Sequence, residues 1–229
     1  MEFATRRFCK LGTRLNSVKM SSPQSLFIKE ACVETLEQAT RAAANGANRI
    51  ELCSRLDLEG LTPSHQLIAE IKSILNIPIR VMIRPREGDF CYSNADFSIM
   101  QADIEFCKKV KVDGVVFGAS RPDKTLDIAA IRMLAQWAYP LKVTIHKAID
   151  DTPDILKAVK DLIHIPEITG ILSSGGAKTA QVGSKTLLNM LKIAGEDIEI
   201  VAAGKITGYN VEELHRIINA RAYHGRSIV

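Results

Sequence analysis

The chain has no run of apolar residues near the roughly 20 needed to cross a bilayer, so it is expected not to be integral to a membrane. It also lacks a basic body. The formal charge of +4 comes from 30 basic and 26 acidic residues, and Arg6, Arg7, Lys10, Arg14 and Lys19 against Glu2 supply that excess within the first 20 residues. Beyond them the charge is near zero, which excludes the clustered basic face that displaces counterions from nucleic acid. No C-x-x-C pair occurs among Cys9, Cys32, Cys53, Cys91 and Cys107. An odd, widely spaced set is not a secreted disulfide scaffold and points to a reducing, cytoplasmic setting.

What is present is an alternation. Short β-branched or apolar runs at Leu26–Val33, Arg49–Cys53, Ile79–Ile83, Gly114–Gly118, Lys142–His146, Ile168–Leu172, Glu199–Ala203 and Ala222–His224 read as strands. Helical periods at Thr35–Asn45, Ser64–Leu75, Asn94–Val110, Ile128–Ala138, Asp154–His164, Gly183–Ala194 and Asn210–Ala220 separate them. Strand and helix in strict turn demand parallel strands with helical crossovers, and eight strands predict an α/β fold of the (β/α)8 TIM type, one domain over 25–229. The chain stops five residues after His224, so the final helix is expected to be missing or truncated, and a partner subunit or an earlier segment is expected to cover that face. A doubly wound sheet would need a glycine-rich turn after the first strand; Cys32-Val33-Glu34-Thr35 has none, and no nucleotide cofactor is expected. Residues 1–24 form a basic leader, read either as a disordered stretch upstream of an internal start at Met20 or as a mitochondrial, transit-like segment.

Chemistry in such barrels gathers at the carboxyl ends of the strands. There the sequence places Glu30 and Cys32, Glu51 and Cys53, Arg84 and Arg86, His146, Lys147 and Asp150, Ser173 to Gly176, Gly204 and Lys205, and His224. Glu-x-Cys occurs twice, and side chains two apart in a strand share a face. Adjacent strands lie about 4.8 Å apart, so matched registers would bring the two thiols together. Soft thiolates in a pair suit Cu(I), whereas a closed Zn(II) site wants four ligands that nothing nearby supplies. The alternative is that both cysteines are small buried hydrophobes. Arg84, Arg86, Lys147, Ser174, Gly175 and Gly204 read as a site for a phosphate or carboxylate, or as cations neutralised by Glu30, Glu51, Asp89 and Asp150. His146, Glu51 and Asp150 are the candidates for moving a proton, and His146 is equally a candidate third metal ligand or a structural residue.

The chain resembles the CutC copper homeostasis proteins. Matching stretches are Glu30-Ala-Cys-Val-Glu34, Gly46-Ala-Asn-Arg-Ile-Glu-Leu-Cys-Ser54 with Gly60-Leu-Thr-Pro-Ser64, Val81-Met-Ile-Arg-Pro-Arg86 with Gly88-Asp-Phe-Cys-Tyr-Ser93, Asp113-Gly-Val-Val-Phe-Gly118, Thr144-Ile-His-Lys-Ala-Ile-Asp150, Leu172-Ser-Ser-Gly175 and Gly204-Lys-Ile-Thr207. The resemblance implies a β/α barrel, a cytoplasmic or organellar location, a homo-oligomer (dimer or tetramer) and Cu(I) held by Cys32 and Cys53. It departs from the family at Lys147, where an Arg is usual, at the reduced Ala202-Ala203-Gly204 turn, and at Tyr223-His224-Gly225-Arg226-Ser227. Two expectations follow. In one, the protein binds a copper ion through two thiolates; in the other, it is a barrel enzyme acting on a small anionic ligand.

Overall fold

The structure, a computed structural model, describes residues 27–229. The basic leader over 1–24, with its transit-like reading, and Cys9 lie outside the described residues.

The expected alternation is what forms. Strands β1 (Ile28–Val33), β2 (Arg49–Leu52), β3 (Ile79–Met82), β4 (Gly114–Phe117), β5 (Lys142–Ile145), β6 (Ile168–Ser173), β7 (Glu199–Ala202) and β8 (Ala222–Gly225) alternate with helices α1 (Leu36–Ala44), α2 (His65–Ile74), α3 (Asn94–Val110), α4 (Ile128–Ala138), α5 (Ile155–Leu162), α6 (Ser184–Ala194) and α7 (Val211–Ile218). The strands pair in parallel and in sequence order, and β1 closes on β8. Side-chain caps set several helix starts. Thr35, Ser64, Asp127 and Asp154 each accept a backbone N–H from the third residue onward, and Ser93 with Asp96 forms a reciprocal capping box. After α1, Gly46 takes φ +94°, a conformation that favours glycine, and turns the chain into β2.

In a barrel wrapped by helices each strand is buried on both faces. Outward residues such as Ile50, Leu52, Ile79, Val81, Val115 and Ile171 are fully buried against the helices. The alternate, lumen-facing positions hold Arg49, Glu51, Arg80, Thr144 and Glu30 instead, also buried. Polar groups therefore fill much of the barrel axis.

No helix follows β8 among the described residues. Its outer face is nonetheless covered from within the chain: Tyr223 is fully buried, its ring 4.9 Å from Phe27 and 5.6 Å from His215, and its hydroxyl accepts from Ala220 N–H at 3.0 Å. Ile228 is also fully buried, and the tail bridges back from Ser227 to Thr207. No described helix is long and apolar enough to cross a membrane.

Candidate metal and ligand site

The strand ends open into a cavity of about 870 Å³ whose lining includes Cys32, Glu51, Cys53, Arg84, His146 and His224. Below it the lumen carries a ladder of charges. Arg49 pairs with Glu30, and with Glu199 at 2.8 Å; Arg80 reaches Glu199 at 3.3 Å and donates to Thr144 at 2.6 Å. Glu30 also meets His224 Nδ1 at 3.0 Å, and His224 Nε2 lies 3.5 Å from Glu51. Removing one partner from such a buried pair typically costs about 3–5 kcal/mol, because the other charge is left unpaired away from water.

The thiols crown this ladder. Register pairs Cys32 with Glu51 and Glu30 with Arg49, so the two Glu-x-Cys segments are offset by two residues rather than matched. The offset reflects the stagger that closure of a barrel imposes. Even so, the sulfurs of Cys32 and Cys53 and a Glu51 carboxylate oxygen lie within 4.8 Å of one another. Two thiolates on one ion at metal–sulfur bonds of about 2.3 Å stand at most roughly 4.6 Å apart, a span compatible with that approach. Cys53 Sγ is 3.7 Å from Glu51 Oε2, and a Cβ at Gly60, which sits at φ +93°, would meet that sulfur at 3.3 Å.

Environment divides the charges among these groups. The Cys53 thiol donates to Cys32, and with His224 beside it this outweighs burial and holds the Cys32 thiol well below its usual range. Donating to Cys32, together with burial, pushes Cys53 well up. Burial opposes charge on His224, but Glu51, Cys32 and Glu30 overcome it and keep the imidazolium. Glu51 is driven up to about 8, chiefly by burial, so near neutral pH it is largely a protonated acid. The cluster pairs one thiolate with one imidazolium.

The groups read from sequence as an anion site fare differently. The Ser173–Gly176 turn does hold a carboxylate, but it is the chain's own Asp150, which accepts from Ser173 Oγ at 2.5 Å, from Ser174 N–H at 2.9 Å and from Gly176 N–H at 2.9 Å. Lys147 donates to Asp150 and to Ser174 Oγ. Gly175 gives its N–H to Ser173 Oγ, and both its φ of +70° and the 2.4 Å at which a Cβ would meet Gly183 O demand glycine. Gly204 lines the cavity, and its carbonyl accepts from Ala180 N–H. Arg86 lies outside the cavity lining, bound to Asp89, Asp96 and the Cys91 carbonyl. Arg84 remains in the wall but directs its terminal nitrogens at the carbonyls of Leu58, Gly60 and Gly88. Asp150 is tied up as an acceptor in this turn, where burial would raise its carboxyl but Lys147 and the serine hydroxyls hold it below the usual range.

Sequence reading placed Cys32, Cys53 and Glu51 together, and they are together. It gave His224 no role, although that side chain touches Glu30 and Glu51, and it passed over Arg49, Arg80 and Glu199. The available signal was period two. Arg49-x-Glu51-x-Cys53 and Arg80-x-Met82-x-Arg84 alternate with fully buried apolar residues, which in a doubly covered strand puts every polar position in the lumen.

Comparison with known proteins agrees with this architecture. The CutC family model matches residues 27–229. The chain is 39% identical over 196 residues to a CutC family protein of Caulobacter vibrioides (strain NA1000 / CB15N), covering 86% of this chain and 79% of the relative. It is 38% identical over 197 residues to one from Vibrio atlanticus (strain LGP32), covering 85% and 79%. The crystal structure of the Streptococcus agalactiae CutC, described as a copper homeostasis protein, superposes with a TM-score of 0.84 at 30% identity, covering 89% of this chain and all of that one. Phosphoribosylanthranilate isomerase from Thermotoga maritima, at TM-score 0.56 and 12% identity, shares the fold alone. With the family model spanning every described residue and the relatives aligned across most of their length, the chain belongs to the CutC family.

Proposed function

We propose that the protein serves copper homeostasis by holding Cu(I) between the thiolates of Cys32 and Cys53. The observation that carries this is the approach of the two sulfurs and a Glu51 oxygen to within 4.8 Å at the mouth. The surroundings suit a soft monovalent ion. Two thiolates and Cu(I) carry one net negative charge, and the His224 imidazolium beside them offsets it. Glu51, protonated near neutral pH, adds no second negative charge. Glu30 anchors His224 from below and so fixes the imidazolium beside the thiols. Thiolate chemistry of this kind belongs in a reducing compartment such as the cytoplasm.

Anaerobic titration of the apo protein with Cu(I) against a chromophoric competitor tests the proposal. Wild type should bind one equivalent tightly, and the Cys32→Ser, Cys53→Ser double variant should lose that affinity by orders of magnitude. An unchanged affinity in the double variant would sink it.

A further inference from the structure

Besides the thiols, the mouth holds two buried donors that have no partner. His146 Nδ1 accepts the backbone N–H of Ala148 at 3.1 Å, which leaves the proton of the neutral ring on Nε2. That Nε2 is buried and has no hydrogen-bond partner. The ring occupies the space that Gly118 leaves free, since a Cβ there would meet Cε1 at 2.7 Å. Arg84 directs its terminal nitrogens at three carbonyls, yet its Nε–H is likewise buried and unpartnered. Phe90 links the two, its ring centroid 4.5 Å from that of His146 and 4.9 Å from Arg84 Cζ. His146, Arg84 and Phe90 all line the mouth cavity, as does Met82.

The tautomer decides the chemistry. With its lone pair spent on Ala148, His146 offers the cavity no base and no metal-ligating nitrogen, only an N–H. Burial and the neighbouring Arg84 lower its pKa to about 3, which keeps the ring neutral through the physiological range. Both unmet groups are therefore donors, and what they lack is an acceptor oxygen. Of the cations that line the cavity, Lys147 is committed to Asp150 and Arg84 is the one whose charge bears on the His146 ring, and a single guanidinium there suits a single negative charge better than a phosphate dianion. Phe90, packed against both groups, suits a short carbon body.

We propose that His146 Nε2–H and Arg84 Nε–H form a binding site for the oxygens of a small monocarboxylate, in the cavity that the thiol pair also lines. The site needs no copper, so it stands or falls independently of the metal-binding reading.

The test begins with the full-length wild-type protein, ¹⁵N-labelled, in spectra that resolve arginine Nε–H and histidine ring N–H signals, titrated separately with acetate, pyruvate and inorganic phosphate. The expected result is a saturable shift of both the Arg84 and His146 signals with acetate or pyruvate and a weaker response to phosphate. His146→Asn keeps an acceptor for Ala148 but deletes the Nε2 donor, and should weaken carboxylate binding by about tenfold or more, the scale of one hydrogen bond to a charged group. His146→Gln restores a donor near Nε2 and should recover much of that loss. Signals unmoved by either carboxylate, tighter binding of phosphate, or full affinity in His146→Asn would each overturn the proposal.

Discussion

On the wall built by β1, β2 and β8, Glu51 Oε1 is buried without a donor, while a thiolate and an imidazolium stand beside it. Across the mouth, at the ends of β5 and β6, the Asp150 carboxylate is saturated by Ser173, Ser174, Gly176 and Lys147. Both walls bury an acid, and only one leaves one of its oxygens unmet. Buried polarity alone does not mark a functional site, because a closed network spends its capacity on the fold; capacity left over is what a ligand can use.

The same chemical change should therefore read out oppositely on the two walls. Asp150→Asn replaces one acceptor oxygen with an NH2 that faces donors already aimed at it, and should cost about 2–4 kcal/mol in urea unfolding. Glu51→Gln mimics the protonated acid that burial already imposes without the cost of taking up the proton, and at pH 7 should raise stability. Equal losses for the two variants would erase the contrast.

Titration sharpens it further. Glu51 has a folded pKa raised to about 8, so between its ordinary value and that point the folded state binds more protons, and stability falls as pH rises. The loss is on the order of 3 kcal/mol by pH 7, and Glu51→Gln should flatten it. His146 is the reverse case. Its folded pKa is lowered to about 3, so the unfolded chain takes up a proton first and stability falls as pH drops below about 6.5. By pH 5 the cost is on the order of 2 kcal/mol, and His146→Asn should remove that slope whatever its offset at pH 7. Unfolding curves at half-unit intervals measure both. A variant that leaves its slope intact would show that its titrating group lies elsewhere.

Strand order, helix positions and the closed barrel were legible because period two and period 3.6 are local properties. The expected Asn94–Val110 and Ile128–Ala138 helices appear with those bounds, and Asp154–His164 shortens only to Ile155–Leu162. The thiol pair was legible too, since Glu30-x-Cys32 and Glu51-x-Cys53 end neighbouring strands. What the chain does with its own donors was not. Arg84 looks like a clamp until its partners are known to be the carbonyls of Leu58, Gly60 and Gly88, and the glycine turn looks open until Asp150 is found inside it. Those contacts join segments 4 to 26 residues apart through loops, where no periodicity announces them.

Lys147 tests how the saturated wall is held. Its ammonium pairs with Asp150, but the lysine side chain is 47% exposed, so water and salt screen the attraction, while the carboxylate keeps the Ser173 hydroxyl and the backbone N–H groups of Ser174 and Gly176. Lys147→Met, which keeps the stem and deletes the charge, should cost less than about 1 kcal/mol at low salt and still less at high salt. A salt-independent loss near that of Asp150→Asn would mean that the cation rather than the turn secures Asp150, and the β5–β6 wall would then depend on a charge that a competing anion could capture.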